Sequence, residues 1–223
     1  NLIAEIGLQI KKVGAFPLVA LSNQLATRRS YDIVPEKYDS RKNTFSEKLI
    51  NVGSREWGTW LDVEPVTNTG FLYQQNTLRD AILTGIHFNI FHRYKRVHMT
   101  NIAQTVNVLQ AMILTKNEKM VLTPTYHVFD MYKVHQDATY LPLELECGDY
   151  KYDGKGIPAV TATASRDDTG RIHISICNVD PNKGATVRCA IRAANFKKVN
   201  GSILKAPKIN THNTFDNPDA ITP

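Results

Sequence analysis

The segment Leu49-Ile50-Asn51-Val52-Gly53-Ser54-Arg55-Glu56-Trp57-Gly58-Thr59-Trp60 runs a series of β-formers into an acid flanked by two tryptophans. Glu47 to Glu56 is apolar at its centre, as for a strand buried on both faces. A carboxylate at the C-terminal tip of such a strand, walled by indole rings, has what sugar cleavage needs. Its oxygens face the positive charge that develops at an anomeric carbon, and flat rings stack on the sugar. Glu56 is therefore the candidate catalytic residue, with Trp57 and Trp60 as candidate substrate-binding side chains.

Working outward, Asp62 to Gly70 is expected to be a loop, with Pro65, Asn68 and Gly70 as turn residues. Thr77 to Tyr94 is expected to be a helix, with Asp80 in its first turn and His92 and Arg93 in its last. Tyr73, Gln74, Gln75 and Asn76 precede it and are expected to cap it. Val97 to Ile102 reads as a second strand and Ala103 to Leu114 as a second helix. This alternation is that of a parallel barrel or an open doubly wound sheet. Upstream, Leu2 to Val13 has helical spacing (Ile3, Ile6, Ile10, Val13), Pro17 to Leu21 suits a short buried strand, and Tyr31 to Thr44 reads as loop.

Beyond Leu143 the texture changes. Ala159 to Ser165, Arg171 to Asn178, Thr186 to Arg192 and Lys198 to Leu204 are β-rich and separated by turn signals. Their spacing of roughly ten residues predicts an antiparallel sandwich. The boundary falls near 141–156, giving domains of 1–140 and 141–223. Asn200-Gly201 reads as a type I′ hairpin turn rather than as part of a glycosylation sequon.

The 223 residues are 42% hydrophobic, enough for a sizeable core. No apolar run approaches the ~20 residues that span a bilayer, so no membrane partner is expected. The N-terminus carries an early acid, Glu5, and no basic stretch, unlike a signal peptide. The net charge of +6 comes from scattered pairs such as Lys11-Lys12 and Arg28-Arg29, which read as solvated surface rather than a nucleic-acid patch. The three cysteines, Cys147, Cys177 and Cys189, form no CxxC and read as free thiols, with a Cys177–Cys189 bridge as the alternative. His87, His92, His98, His127 and His135 lack metal-ligand spacing, and no phosphate-binding glycine loop occurs. No metal or cofactor is expected.

Two longer stretches extend the site. One runs from Glu56 through Gly70-Phe71-Leu72-Tyr73-Gln74-Gln75-Asn76-Thr77-Leu78-Arg79-Asp80-Ala81. The other comprises Asn101-Ile102-Ala103-Gln104-Thr105-Val106-Asn107-Val108-Leu109-Gln110 and Leu122-Thr123-Pro124-Thr125-Tyr126-His127-Val128-Phe129-Asp130-Met131-Tyr132. Together they closely resemble the α-L-arabinofuranosidases of glycoside hydrolase family 51, from about Lys37 to the end. The resemblance implies the last βα units of a TIM (β/α)8 barrel followed by a C-terminal antiparallel β-sandwich. It implies retaining cleavage of terminal α-L-arabinofuranosyl residues from arabinan- and arabinoxylan-type oligosaccharides and polysaccharides. Glu56 takes the position of the family's nucleophile, and Gln104 that of a glutamine bound to the sugar in the −1 subsite; Trp57 and Trp60 line the pocket. An intracellular, cytoplasmic enzyme is implied, and a homo-oligomer is in keeping with the family.

The departures are specific. Arg55 stands where the family has Asp. The family's general acid/base lies in an upstream Gly-Asn-Glu, and no such tripeptide occurs here. Asn117-Glu118 follows Lys116 in a polar turn, and Asp62 and Glu64 belong to a structural loop. The chain is thus expected to be an incomplete piece, inactive in isolation and prone to aggregate through open strand edges. The competing reading is a non-catalytic carbohydrate-binding remnant.

Overall fold

The computed structural model describes residues 3–10, 38–39, 44–45, 52–94, 97–192 and 198–223, with the backbone alone for 3–10, 38–39, 44–45, 52–56 and 98. The strand expected at Pro17 to Leu21, most of the loop at Tyr31 to Thr44 and the Glu47 to Asn51 part of the first strand lie outside the described residues.

In chain order the strands are β1 (Ile3–Ile10), β2 (Tyr38–Asp39), β3 (Thr44–Phe45), β4 (Val52–Trp57), β5 (Val97–Ile102), β6 (Ile113–Lys116), β7 (Lys119–Leu122), β8 (Thr139–Tyr140), β9 (Asp149–Tyr152), β10 (Lys155–Pro158), β11 (Val160–Arg166), β12 (Ile172–Asn178) and β13 (Ala185–Arg192). Among the described residues the α-helices are α1 (Leu78–Arg93) and α2 (Pro124–Tyr132). β4 and β5 pair in parallel with α1 between them in sequence. The remaining pairings, β1–β13, β2–β3, β6–β7, β9–β10 and β12–β11–β8, are antiparallel.

α1 forms as expected, and its start is fixed twice. Thr77 and Asp80 make a capping box, with Thr77 N–H donating to Asp80 Oδ2 at 2.7 Å. The orphan N–H groups of Leu78 and Arg79 then donate to the carbonyls of Thr211 and Ile209 in the C-terminal tail. The helix is enclosed on several sides. Leu78 and Ala81 pack with Val128 of α2 and with Ala206 and Ile221 of the tail. Leu83 and Ile86 pack with Tyr150 of β9 and with Val179, just past β12.

Four sequence expectations about these elements need correction. Where it is described, the expected loop at Tyr31 to Thr44 is not loop: Tyr38–Asp39 pairs with Thr44–Phe45 as two short antiparallel strands. Ala103 to Leu114 is not a helix. Its apolar spacing mimics one, but Asn107 and Leu109 take positive φ (59° and 52°), and the segment leads into the β6–β7 hairpin around Asn117. The next helix begins instead at Pro124, with Thr123 accepting from Tyr126 N–H and proline in the first turn. The helix expected over Leu2 to Val13 is overturned where the structure describes it, since Ile3–Ile10 is a strand. Ala4, Ile6 and Leu8 also alternate with period two, and the register sets them opposite Ile191, Cys189 and Val187. Lys198 to Leu204 is not a strand: neither Asn200 nor Gly201 has the positive φ of a type I′ turn, and Leu204 packs against the α1–α2 core. The three thiols are free; Cys177 lies against Gly85 of α1, and burial pushes its pKa up to about 12.

Helices and sheet are joined by polar links. Asn89 donates to Thr161 Oγ1 of β11 at 2.8 Å and accepts from the Tyr132 hydroxyl of α2 at 3.0 Å. His135, in the turn after α2, bridges Ser165 of β11 (2.7 Å) and Ser175 of β12 (2.8 Å) through its two ring nitrogens. Burial, with His92 and His173 nearby, lowers its pKa from 6.5 to about 4. Around it lie His92 of α1, Tyr132 of α2 and His173 of β12, the last paired with Asp167 at 2.8 Å. The unfolded chain takes up this proton near pH 6.5, and the folded chain only near pH 4. The stabilisation from a neutral His135 is therefore complete above about pH 6.5 and is lost as pH falls toward 4, by up to about 3 kcal/mol. Urea midpoints between pH 7.5 and 4.5 are expected to fall, and less steeply in His135→Asn. Parallel profiles for the two proteins would refute this.

Candidate active site

The site is assembled where β4 and β5 end. Trp57 pairs with Ile102, and Ala103 N–H donates to the Trp57 carbonyl at 2.9 Å. Between Ser54 and Trp57 the register slips: three steps along β4 match two along β5, from Thr100 to Ile102. Arg55 and Glu56 occupy this bulge, a local feature that re-aims a side chain. The Glu56 side chain itself lies outside the described residues.

Gly58 turns the chain away at φ 141°, a conformation other residues rarely adopt. A Cβ here would sit 3.1 Å from Gln110 Oε1 and 3.4 Å from the Ala103 carbonyl oxygen. The absent side chain thus lets the loop after β4 lie directly on the loop after β5.

The structure separates the two tryptophans. Trp57 is 8% exposed and packs among rings of both helices. It stacks on His87 (centroids 4.9 Å) and Phe129 (6.0 Å) and meets Phe88 and Phe91 edge-on at 5.5 Å each. His87 is held neutral by burial, which lowers its pKa, and contacts the Leu83 carbonyl. Trp60 is 50% exposed. Gln104 is exposed as well, just beyond β5 and across a cis peptide bond from Ala103; no helix follows for it to cap.

Beneath the two loops lies a buried polar network whose extent sequence reasoning missed. Thr59 donates through its hydroxyl to Asp80 Oδ1 at 2.7 Å and through its N–H to Gln110 Oε1 at 2.6 Å. Gln74 Nε2 donates to the Thr59 carbonyl at 3.2 Å, and its Oε1 accepts from Leu61 N–H at 2.9 Å. Gln110 Nε2 reaches the Asp80 carbonyl, Thr84 Oγ1 and Thr125 Oγ1 at 2.9–3.1 Å. Asn76 donates to the Ala111 carbonyl and Thr125 Oγ1, tying α1's entry to α2's. Gln74 and Asn76 thus brace loops rather than cap α1; Thr77 and Asp80 do the capping.

Of the weaker carboxylates, Glu64 accepts from Gln75 N–H at 3.1 Å, as a loop brace does, and Asp62 is exposed. Partial burial, with Glu64 nearby, raises the pKa of Tyr73. Tyr73 borders an open cleft of ≈ 460 Å³ whose walls include Phe71, Leu114 and Phe215. Among the described residues no cluster of His, Cys, Asp and Glu suits a metal ion, and no helix is long and apolar enough to cross a membrane.

Comparison with known proteins identifies the lineage. The α-L-arabinofuranosidase C-terminal domain family matches residues 56–223, a span that opens on Glu56. An intracellular exo-α-L-arabinofuranosidase of Bacteroides ovatus is 48% identical over 192 residues, 85% of this chain and 36% of the relative. The crystal structure of a family 51 arabinofuranosidase from Xanthomonas axonopodis pv. citri superposes with a TM-score of 0.65 at 44% identity, covering 76% of this chain and 34% of that one. An α-L-arabinofuranosidase of Thermotoga maritima, 21% identical with a TM-score of 0.53, shares the fold over 75% of this chain and 36% of its own. The chain spans about a third of the length of these relatives. With a match from the candidate nucleophile to the last residue, the chain belongs to the α-L-arabinofuranosidase C-terminal domain family, as a C-terminal portion of the glycoside hydrolase family 51 type.

Proposed function

We propose that the protein carrying this chain is a retaining α-L-arabinofuranosidase, and that this chain contributes the nucleophile Glu56 and the sugar-binding Gln104. One observation supports this above the others. The residues at these two positions follow one another around the C-terminal end of a parallel strand pair, the end at which barrel enzymes build their sites. In this reading residues 1–140, with β4, α1, β5 and α2, are the C-terminal part of a (β/α)8 barrel, and residues 141–223 form the sandwich.

The chemistry is a double displacement. The Glu56 carboxylate attacks C1 of the arabinofuranosyl ring as the C1–O bond to the leaving group breaks. A second carboxylic acid, supplied from outside this chain, gives its proton to the departing oxygen. That same carboxylate then takes a proton from water as the water attacks C1, releasing arabinose and the Glu56 carboxylate. Gln104 holds the sugar hydroxyls, and the exposed ring of Trp60 offers a stacking face. Arabinose-containing oligosaccharides are the substrates, and the site of action is intracellular, as for the Bacteroides ovatus relative.

The test follows the anomer first released. With the complete protein and an aryl α-L-arabinofuranoside, proton NMR within the first turnovers is expected to show α-L-arabinofuranose, before mutarotation. First release of the β anomer would rule out the double displacement.

A further inference from the structure

We propose that Gln110 is a positioning residue that sets the spacing between the ends of β4 and β5, and through them between Glu56 and Gln104. The proposal rests on the reading of those two residues given above.

A closed ring of hydrogen bonds carries it. The Trp57 carbonyl accepts from Ala103 N–H at 2.9 Å, and the Ala103 carbonyl accepts from Gln110 N–H at 3.2 Å. The Gln110 side chain then reaches back, its Oε1 accepting from Thr59 N–H at 2.6 Å. From Thr59 the chain returns through Gly58 to Trp57. Trp57 is the residue after Glu56, and Ala103 is the residue before Gln104. The peptide neighbours of both functional side chains are therefore members of one small cycle, which only the Gln110 side chain closes.

The chemistry of the ring suits a primary amide of this length. Thr59 N–H donates to Oε1, and the Asp80 carbonyl, which also accepts from Thr84 Oγ1, can face only a donor, Nε2, at 3.0 Å. This fixes the amide one way round. Glutamate has no donor for that carbonyl, methionine has neither group, and asparagine is one methylene short. Gln110 is fully buried, and Gly58 packs against its amide, so water is excluded from taking over the bonds. Nε2 also bonds Thr84 of α1 and Thr125 of α2. The cycle is thereby bolted to both helices.

The experiment uses the complete protein and an aryl α-L-arabinofuranoside, comparing Gln110→Met with Thr125→Val. Both remove buried hydrogen bonds, but Thr125→Val leaves the ring closed. Gln110→Met is expected to lower kcat about 100-fold with KM changed less than about threefold, the signature of misplaced catalytic groups rather than weakened binding. Thr125→Val is expected to keep kcat within about threefold at a temperature where both are folded. If Gln110→Met does not accumulate as folded protein, Gln110→Asn gives the same readout. Equal kcat values in the Gln110 and Thr125 variants, or a loss confined to KM, overturn the proposal. If Glu56→Gln keeps full turnover, the underlying assignment has failed and this proposal falls with it. An inactive Glu56→Gln beside a Gln110 variant that matches Thr125→Val sinks the Gln110 proposal alone.

Discussion

Replacing Glu56 by glutamine in the complete protein is expected to lower kcat on α-L-arabinofuranosides by about 10⁴-fold or more, with the fold intact. The amide keeps the volume and much of the hydrogen bonding of the carboxylate but is a far poorer nucleophile toward C1. A second measurement separates a nucleophile from an acid/base. Glu56→Gly opens space beside C1, and azide can occupy it. With a dinitrophenyl leaving group, which departs without a proton, azide attacks C1 directly and dinitrophenolate leaves. One displacement in place of two gives a β-configured arabinofuranosyl azide from the α-linked substrate. Were Glu56 the acid/base instead, azide would meet a glycosyl-enzyme intermediate and yield the α azide. Wild-type turnover in Glu56→Gln, or an α azide from Glu56→Gly, would sink the assignment.

The parts of the fold that could be read from sequence are those where local pattern and tertiary partner agree. α1 has an apolar stripe, Asp80 in its first turn and basic residues in its last, so propensity and dipole point the same way; its cap, Thr77 with Asp80, lies one step on from the residues the sequence suggests. β11, β12 and β13 are legible because turn residues mark their ends. Ala103 to Leu114 misleads because a loop laid across a core also needs apolar residues. Leu109 and Ala111 are buried as helix residues would be, while Leu109 N–H donates to Leu72 and Met112 N–H to Thr105, far from any helical ladder. The two positive φ angles that decide the matter fall on Asn107, where asparagine hints at one, and on Leu109, where nothing does. β1 misleads for a related reason: Ile3, Ile6 and Ile10 suit a helix, Ala4, Ile6 and Leu8 suit a strand, and only the partner β13 decides between them.

In the candidate site the residues proposed to bear the chemistry could be named from sequence, and their supports could not. Glu56 and Trp60 stand out by type and neighbourhood, and Gln104 by its place in the family resemblance. Gln74, Asn76 and Gln110 look like ordinary polar residues beside a helix or in a loop, because their partners lie 13 to 51 residues away. Trp57 shows the converse. As a residue beside the candidate acid it reads as pocket wall, yet it packs among His87, Phe88, Phe91 and Phe129. Its place in the aromatic core helps fix the end of β4.

Asp80 is where the largest loss of stability is expected. Its side chain is fully buried, and four groups donate to it: Thr59 Oγ1 at 2.7 Å, Thr77 N–H at 2.7 Å, Thr77 Oγ1 at 3.2 Å and Arg79 Nη2 at 2.9 Å. Only a carboxylate, with two acceptor oxygens, satisfies such a set. Asp80→Ala leaves the Arg79 guanidinium, the Thr77 N–H and the Thr59 hydroxyl without this acceptor, at an expected cost of about 3–5 kcal/mol. For a unit of this size that is a fall in Tm on the order of 10 °C. Asp80→Asn is the sharper variant because it conserves shape. Its amide must present a donor to at least one donor, so it too is expected to destabilise, by about 2 kcal/mol. If the bond to Thr59 is part of that cost, Thr59→Val in the Asp80→Asn background adds less than it does alone. An Asp80→Asn protein with wild-type Tm would show that the acceptor geometry is dispensable. Full additivity with Thr59→Val would show that Asp80 stabilises α1 without holding the loop that follows Glu56.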